Sequence, residues 1–523
     1  MPARESGKYE NLVSGVVLGH DAASNARREL FLVSTLFLFL ELALIRWLPA
    51  HVLFLTFFTN TVLLGSFLGL SLGCMAAPSP RDYGGLTIVS LLITLISGTA
   101  MEWVRLSLQD IIDVGANKST PQMVYFGTEA RVSDVAAFVI PIEWVVAFFF
   151  VLVALTMLGL GQMLGRRFAA VPNRVESYMI NIGGSLAGVL AFYSCSLGLP
   201  PVWWFGLVAA GLIYLLYRSG RLSRRNFALS VLAPVLLLVP AYRGFGVIRD
   251  RFPIESWSPY YRVNYSPATR TIVVNLLGHQ QMVSRADEYP GYAVPYVVNR
   301  AVGGAPFRDI LIIGAGSGND VSRALQWGAP DCHVDAVEID PYILGLGRRD
   351  HPDRPHQDPR VSTYLGDGRN FLRRTSKSYD LIVFALVDSL VLHSSVSNIR
   401  LESFLFTRES MIDVRRRLRS GGMFVTYNYF RQGWIVSRLA ETVREAFGVP
   451  PVVFTLPHRD RVAADEKAEG FTLLFAGPRA ERIQAGFRLD GPCLIWSGVP
   501  PRPELTGGPA GVDRGSLRSA KPG

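Results

Sequence analysis

The chain predicts two architectures in series: a multi-pass α-helical membrane domain, then an α/β doubly wound, Rossmann-like domain preceded by a small β-hairpin subdomain. Three observations carry this. Long, nearly uncharged apolar runs fill the first 245 residues, the composition turns to that of a water-soluble domain after Tyr242, and strand and helix patterns alternate from residue 309 onward.

The bulk properties agree. Of 523 residues, 49% are hydrophobic and 18% charged, and the mean hydropathy is +0.26, a balance too apolar for a wholly soluble chain of this length. The formal charge of +10 is carried by arginines beside the apolar runs, where basic residues mark the cytoplasmic ends of spans; it points to a lipid bilayer and away from nucleic acid. The four cysteines, Cys74, Cys195, Cys332 and Cys493, form no CxxC and no paired spacing, so neither a disulfide framework nor a metal site is expected. Residues 1–28 read as a polar tail without the apolar core and cleavage site of a signal peptide.

Stretches of about 18 or more uncharged residues are long enough to cross hydrocarbon as helices. They fall at 30–49, 52–77, 85–104, 135–158, 178–199 and 202–217, with a weaker seventh at 227–241 that holds Pro234 and Pro240. Arg27 and Arg28, Arg81, the group Arg166, Arg167 and Arg174, and the group Arg218 to Arg225 make every second loop basic, which places the N-terminus and the 218–225 loop in the cytoplasm of a cell (inner or plasma) membrane protein. A true seventh span would export the rest of the chain from the compartment that holds nucleotides, so 227–241 is expected as an interfacial or re-entrant segment. Within the spans, Glu41, Glu143 and Asn181 either mark an entry path for an amphiphilic substrate, or a glutamate pairs with Arg46 as that arginine snorkels. LLGSFLGLSLG and NIGGSLAG place small residues at helical spacing, a signature of close helix packing.

Beyond the membrane domain (29–245), residues 250–300 contain alternating β-formers around an SPATR turn, and 301–477 alternate strand and helix: DILIIG, HVDAVEID, RVSTYLGD, YDLIVFAL and GGMFVTYNY, with VVFTL and FTLLFAG as a closing antiparallel pair. The Pro-, Gly- and Arg-rich 478–523 read as a mostly disordered tail.

The chemistry sits at the strand ends. Gly314, Gly316 and Gly318 form G-x-G-x-G directly after a strand, where backbone approaches a ligand closely. Glu338 ends the next strand, where an acid accepts both ribose hydroxyls; Asp340 competes for that role, with Glu338 favoured. Asp367, flanked by Gly366 and Gly368, ends the third and is placed to accept from an adenine amino group. A glycine loop, a ribose acid and an adenine acid at successive strand ends point to an S-adenosyl sulfonium cofactor and a transferase-type variant of the fold.

GAGSGND, VEIDP, DPRVSTYLGDGRNFL and YDLIV resemble, in order and spacing, the cofactor motifs of spermidine synthases, and SPYYRV with LLGHQQMVSRADEY resembles that family's N-terminal β-domain. The membrane part resembles the multi-span half of membrane-fused spermidine-synthase-like proteins. The resemblance, over about 255–430, implies transfer from decarboxylated S-adenosylmethionine, with Gly314, Gly316, Ser317, Gly318, Glu338, Asp340, Asp367 and Gly368 around the cofactor and Gln281 and Tyr292 toward the substrate. The chain departs from the family where the glycine-loop Asp is Ser317, where the catalytic Asp is Ala385, and where Tyr292 is followed by Ala293 and Val294 in place of His-Glu. A diamine pocket needs carboxylates in place of lost hydration, so putrescine is a poor fit as acceptor.

Near the reacting centre remain Asp388, His393, Asn398, Arg400 and Glu402. Asp388 is the first candidate base and His393 the second; Arg400 either binds an anionic group of the acceptor or pairs with Glu402 or Asp388. The expected protein is a membrane-anchored transferase that moves a methyl or aminopropyl group from S-adenosylmethionine or its decarboxylated form to a small amine or amphiphilic acceptor. A homo-oligomer is compatible with this expectation. The alternative is a transporter or sensor whose soluble domain binds an adenosyl ligand or polyamine without catalysis.

Overall fold

The computed structural model describes residues 6–52, 55, 60–107, 112–113, 140–243, 253–286, 291–386, 404–430, 433–457, 470–486 and 495–496. The chain divides into two compact units, one made of 1–115, 130–264 and 274–277, the other of 116–129, 265–273 and 278–523. Residues 254–281 form a small four-stranded sheet, β1 (Ile254–Trp257), β2 (Arg262–Ser266), β3 (Thr271–Val274) and β4 (Leu277–Gln281), ordered as in the sequence.

The first unit contains the helices α1 (Ser6–His51), α2 (Asn60–Met75), α3 (Gly84–Ser107), α4 (Ile142–Ala170), α5 (Arg174–Ser196), α6 (Pro201–Arg218) and α7 (Arg224–Arg243). Their ends carry local signals: Asn173 caps α5 by accepting from the amides of Val175 and Glu176, and α6 opens on Pro201. Among the described residues, five segments are long and apolar enough to cross a bilayer, Ser24–His51, Gly84–Glu102, Trp144–Ala170, Arg174–Ser196 and Pro201–Arg218. Of the expected span at 52–77, the described helix is the 16 residues of α2, about 24 Å at 1.5 Å per residue against the ~30 Å hydrocarbon thickness, and residues 53–54 and 56–59 lie outside the described residues. Helix α1 begins at Ser6, inside the expected polar tail, and the weak seventh run becomes α7, outside the set of five.

Small residues do what their spacing predicts. A Cβ on Gly69 would lie 2.3 Å from the Ala154 carbonyl of α4, and one on Gly73 2.2 Å from that of Leu158; Gly184 and Gly188 of α5 lie as tightly against Phe31 and Thr35 of α1. These contacts let the helix backbones approach closely. The faces turned away stay apolar: Tyr178, Met179, Ile182, Leu186, Leu190 and Tyr193 of α5 are all exposed.

The charged groups of this unit are distributed by partner. Arg46 donates to the carbonyls of Ser196 (3.1 Å) and Ser258, with its guanidinium over the rings of Trp204 and Trp257 at 5.1 and 5.8 Å. These two hydrogen bonds go to backbone oxygens. Glu41 is buried, Asn181 accepts from Ser34 at 2.8 Å, and the Glu143 side chain lies outside the described residues. Arg262 is buried between Glu102 (2.8 Å) and Glu255 (2.7 Å), with His51 3.7 Å from Glu102.

The second unit is built on an eight-stranded sheet. After α8 (Val294–Ala301) come β5 (Asp309–Ile313), α9 (Asn319–Trp327), β6 (His333–Glu338), α10 (Pro341–Asp350), β7 (Val361–Leu365), α11 (Gly368–Arg374), β8 (Tyr379–Ala385), α12 (Arg408–Arg417), β9 (Leu418–Phe430), α13 (Gly433–Phe447), β10 (Val452–Pro457), β11 (Gly470–Ala476), α14 (Pro478–Gly486) and β12 (Ile495–Trp496). The order is β12-β10-β11-β9-β8-β5-β6-β7. Strands β7, β6, β5, β8 and β9 are parallel, β11 runs antiparallel to both β9 and β10, and the expected closing pair is present with β11 inserted beside β9. Strands β5 and β8 are buried on both faces, which explains their continuous apolar runs. The strand order reverses between β5 and β8, so the crevice beyond their carboxyl ends is the topological switch point. The structure places α14 and β12 within the segment expected as a tail.

Candidate functional site

The site grows from the turn after β5. Gly314, Gly316 and Gly318 have φ of 77°, 54° and 111°, a region that residues with a Cβ rarely enter. Packing adds a second demand, since a Cβ on Gly318 would lie 2.7 Å from Pro355 and 2.9 Å from His356, and one on Gly316 2.6 Å from Gln280 Oε1. Gly347 on α10 is equally constrained, its Cβ falling 2.2 Å from the Ser317 carbonyl. The loop is thereby clamped from three sides.

Its amides are already committed. Gly314 and Ala315 donate to Val337 O (2.9 and 3.0 Å), Gly316 to Glu338 Oε2 (2.7 Å), Ser317 to Gln280 Oε1 (3.0 Å) and Gly318 to Ala315 O (2.9 Å). A loop that cradles phosphate keeps such donors for the ligand. This one presents acceptors and buried hydroxyl instead: Ser317 Oγ is buried and, among the described residues, has no hydrogen-bond partner.

Glu338, 6% exposed at the end of β6, accepts from Gly316 N on one oxygen and from Asp340 N (2.8 Å) on the other. Burial pushes its carboxyl up to about 7, against the pull of the Asp340 and Gly316 amides. Each oxygen retains a second lone pair for a hydroxyl donor. Asp340, the competing acid, is the N-cap of α10: it accepts from Tyr342 N (2.8 Å) and Ile343 N (3.1 Å) and is fully buried. The geometry therefore separates two acids that the sequence left in competition. Asp367 caps α11 through Asn370 N at 2.7 Å and is only half-buried, at the end of β7, beside a buried Gly368 whose Cβ would collide with Ile313.

Of the two glutamines in GHQQ, the structure turns Gln280 onto the loop, whereas Gln281 donates outward to Thr269 O at 3.2 Å. Successive residues of a strand face opposite sides, and of the two it is Gln280 that faces the loop. Tyr292 is buried and lies 3.3 Å from Asn319 Nδ2. Asn319 also donates to Gln281 O (2.8 Å), accepts from Val283 N (3.0 Å) and stands 3.1 Å from His351 Nε2, while Asp353 accepts from Ser284, Arg285 N and Ser322 at 3.0, 2.9 and 2.6 Å. These bonds tie the strap 281–285 to the first turns of α9. The residue types had signalled none of Gln280, Asn319 or Asp353 in advance. Asp388, His393, Asn398, Arg400 and Glu402 lie outside the described residues.

Residues 301–460 match the family model for the spermine/spermidine synthase domain. The polyamine aminopropyltransferase of Vibrio vulnificus is 32% identical over 139 residues, covering 27% of this chain and 43% of that one. That of Korarchaeum cryptofilum is 29% identical over 146 residues, covering 26% and 41%. The chain thus spans less than half the length of these relatives. A crystal structure of spermidine synthase in complex with a transition-state analogue aligns over 45% of this chain and 76% of its own, at 16% identity and a TM-score of 0.34. Through residues 301–460 this chain carries a spermine/spermidine synthase domain.

Proposed function

We propose that the protein is a membrane-anchored transferase that uses S-adenosylmethionine or decarboxylated S-adenosylmethionine to alkylate an amine or amphiphilic acceptor, with its synthase domain on the cytoplasmic side. The observation that carries this is the pairing of a glycine loop whose amides are spent with acids at the ends of the next two strands, Glu338 and Asp367. Such a site accepts hydrogen bonds from a ribose diol and an adenine amino group and suits a cationic ligand; the amides of Gly314 to Gly318 are already taken and are not available to a pyrophosphate. When bound, the sulfonium supplies an electrophilic carbon with a neutral thioether as leaving group. The chain's part is to orient it through Glu338 and Asp367, to hold the acceptor nearby, and to take the proton that the attacking amine or hydroxyl gives up, a role we assign to Asp388 with His393 second. The apolar exposed face of α5 and five helices of spanning length support anchoring in a bilayer.

Ala385 at the tip of β8 favours one second reading, a transporter or sensor that binds an adenosyl ligand or polyamine without turning it over. Mass spectrometry of lipid and polyamine extracts from cells with and without the protein separates the two. A species heavier by a methyl or aminopropyl group supports the transferase; unchanged extracts together with uptake of an unmodified solute into vesicles refute it.

A further inference from the structure

Between Gly314 and Trp327 the chain has one acid, Asp320, in the first turn of α9. It is 7% exposed, and its Oδ1 is hydrogen-bonded to the hydroxyl of Tyr427, 107 residues away on β9. Tyr427 pairs in register with Ala385, the last residue of β8, so the Asp320–Tyr427 bond lies at the strand tips beside the switch point. Tyr292, Tyr296, Ala315, Ala385 and Tyr427 belong to a single buried cluster, which puts this acid in an aromatic-walled corner shared by the glycine loop and the β8 tip. An acid backed by aromatic faces is a setting in which an organic cation replaces its hydration.

We propose that Asp320, held by Tyr427, is the counter-charge that receives the cationic part of an adenosyl donor bound on the glycine loop. The proposal rests on the adenosyl-transferase assignment and adds to it the residue that recognises the charge. Its chemical consequence is a proton. Burial pushes the Asp320 carboxyl up to about 8, with only its own amide pulling it down, and among the described residues the ionisable groups facing it are the phenols of Tyr427 on β9 and Tyr296 on α8. At pH 7 it is therefore largely protonated, and an incoming cation displaces that proton into solvent.

The test is titration calorimetry of the full-length chain in detergent at pH 7, in phosphate and in Tris, whose ionisation enthalpies differ. The ligands are S-adenosylmethionine, decarboxylated S-adenosylmethionine and 5′-methylthioadenosine, a neutral thioether that keeps the ribose and so reports any proton released by Glu338. We expect the sulfonium ligands to release close to one proton more than methylthioadenosine. In Asp320→Asn that excess disappears, sulfonium affinity falls at least tenfold, and methylthioadenosine binds as before. Tyr427→Phe, which keeps the carboxylate and the ring, retains the excess and provides a folded reference if the Asn variant is unstable. Equal proton release by all three ligands, or an unchanged excess in Asp320→Asn, overturns the assignment of Asp320 alone. Failure of all three to bind overturns the adenosyl site and this inference with it.

Discussion

Replacing Glu338 by Gln tests the site through its pH dependence. With its carboxyl raised from 4.5 to about 7, the folded protein keeps a proton that the unfolded chain has already lost. The stability that this proton confers is fully present below pH 4.5 and is lost as pH rises through 7. Between pH 5 and pH 8 the native chain loses about 2–3 kcal/mol at this one position, and Gln, which does not titrate, loses nothing. Gln has its own defect, because its amide nitrogen must face either the Gly316 or the Asp340 N–H that the two carboxylate oxygens now accept, leaving one donor unsatisfied at about 1–3 kcal/mol. The variant is therefore less stable than the native chain at pH 5 and equal or more stable at pH 8. At roughly 2–4 °C per kcal/mol for a domain of this size, the melting-temperature difference swings by about 5–10 °C across that range. Differential scanning fluorimetry in two buffers reads it. A difference that does not move with pH refutes the buried, proton-holding glutamate. The same variant loses two charge-assisted acceptors for a ribose diol, so adenosine-ligand affinity falls about 100-fold or more, and native affinity weakens below pH 7 as Glu338 protonates.

Three further outcomes follow from packing and charge. Gly347→Ala drives a methyl into the Ser317 carbonyl; adenosyl-ligand affinity falls at least tenfold in equilibrium dialysis while the far-UV circular dichroism stays native, and unaltered affinity contradicts the clamped loop. Arg262→Ala leaves the buried Glu102 without its cation and takes the same partner from Glu255, at about 3–5 kcal/mol, so its detergent-solubilised melting temperature drops well below that of the native chain. Against desolvation, that arginine holds Glu255 below the usual carboxylate range, so this part of the loss grows as pH rises toward 4.5 and is complete above it. Asp388→Asn keeps adenosyl-ligand binding and loses turnover; equal turnover removes Asp388 as the base.

Local signals made much of this legible. The run DILII, its glycine turn and the acid closing HVDAVE mark a strand, a tight loop and a strand end without any tertiary knowledge. Asp340 was resolvable too, since an Asp directly before Pro341 is a helix cap by its own chemistry. The glycine stripe of α2 spoke for close packing, and its contacts with α4 are as tight as that implies. What the sequence hid was parity and distance. Gln280 and Gln281 are the same residue on a strand too short to fix its face by alternation, and Tyr427 meets Asp320 only because β9 lies two strands from β5 in the finished sheet. Likewise FTLLFAG reads as a strand, but its place between β9 and β10 is set by pairing, which hydropathy does not encode.

The central claim is that the strand tips of the synthase domain hold an adenosyl sulfonium and not a dinucleotide. Equilibrium dialysis of the purified full-length chain against radiolabelled S-adenosylmethionine, decarboxylated S-adenosylmethionine and NAD tests it directly, with Asp367→Ala as the control. Saturable binding of at least one sulfonium donor, abolished by Asp367→Ala, with no saturable binding of NAD, is the predicted result. Saturable NAD binding, or sulfonium binding indifferent to Asp367, contradicts it.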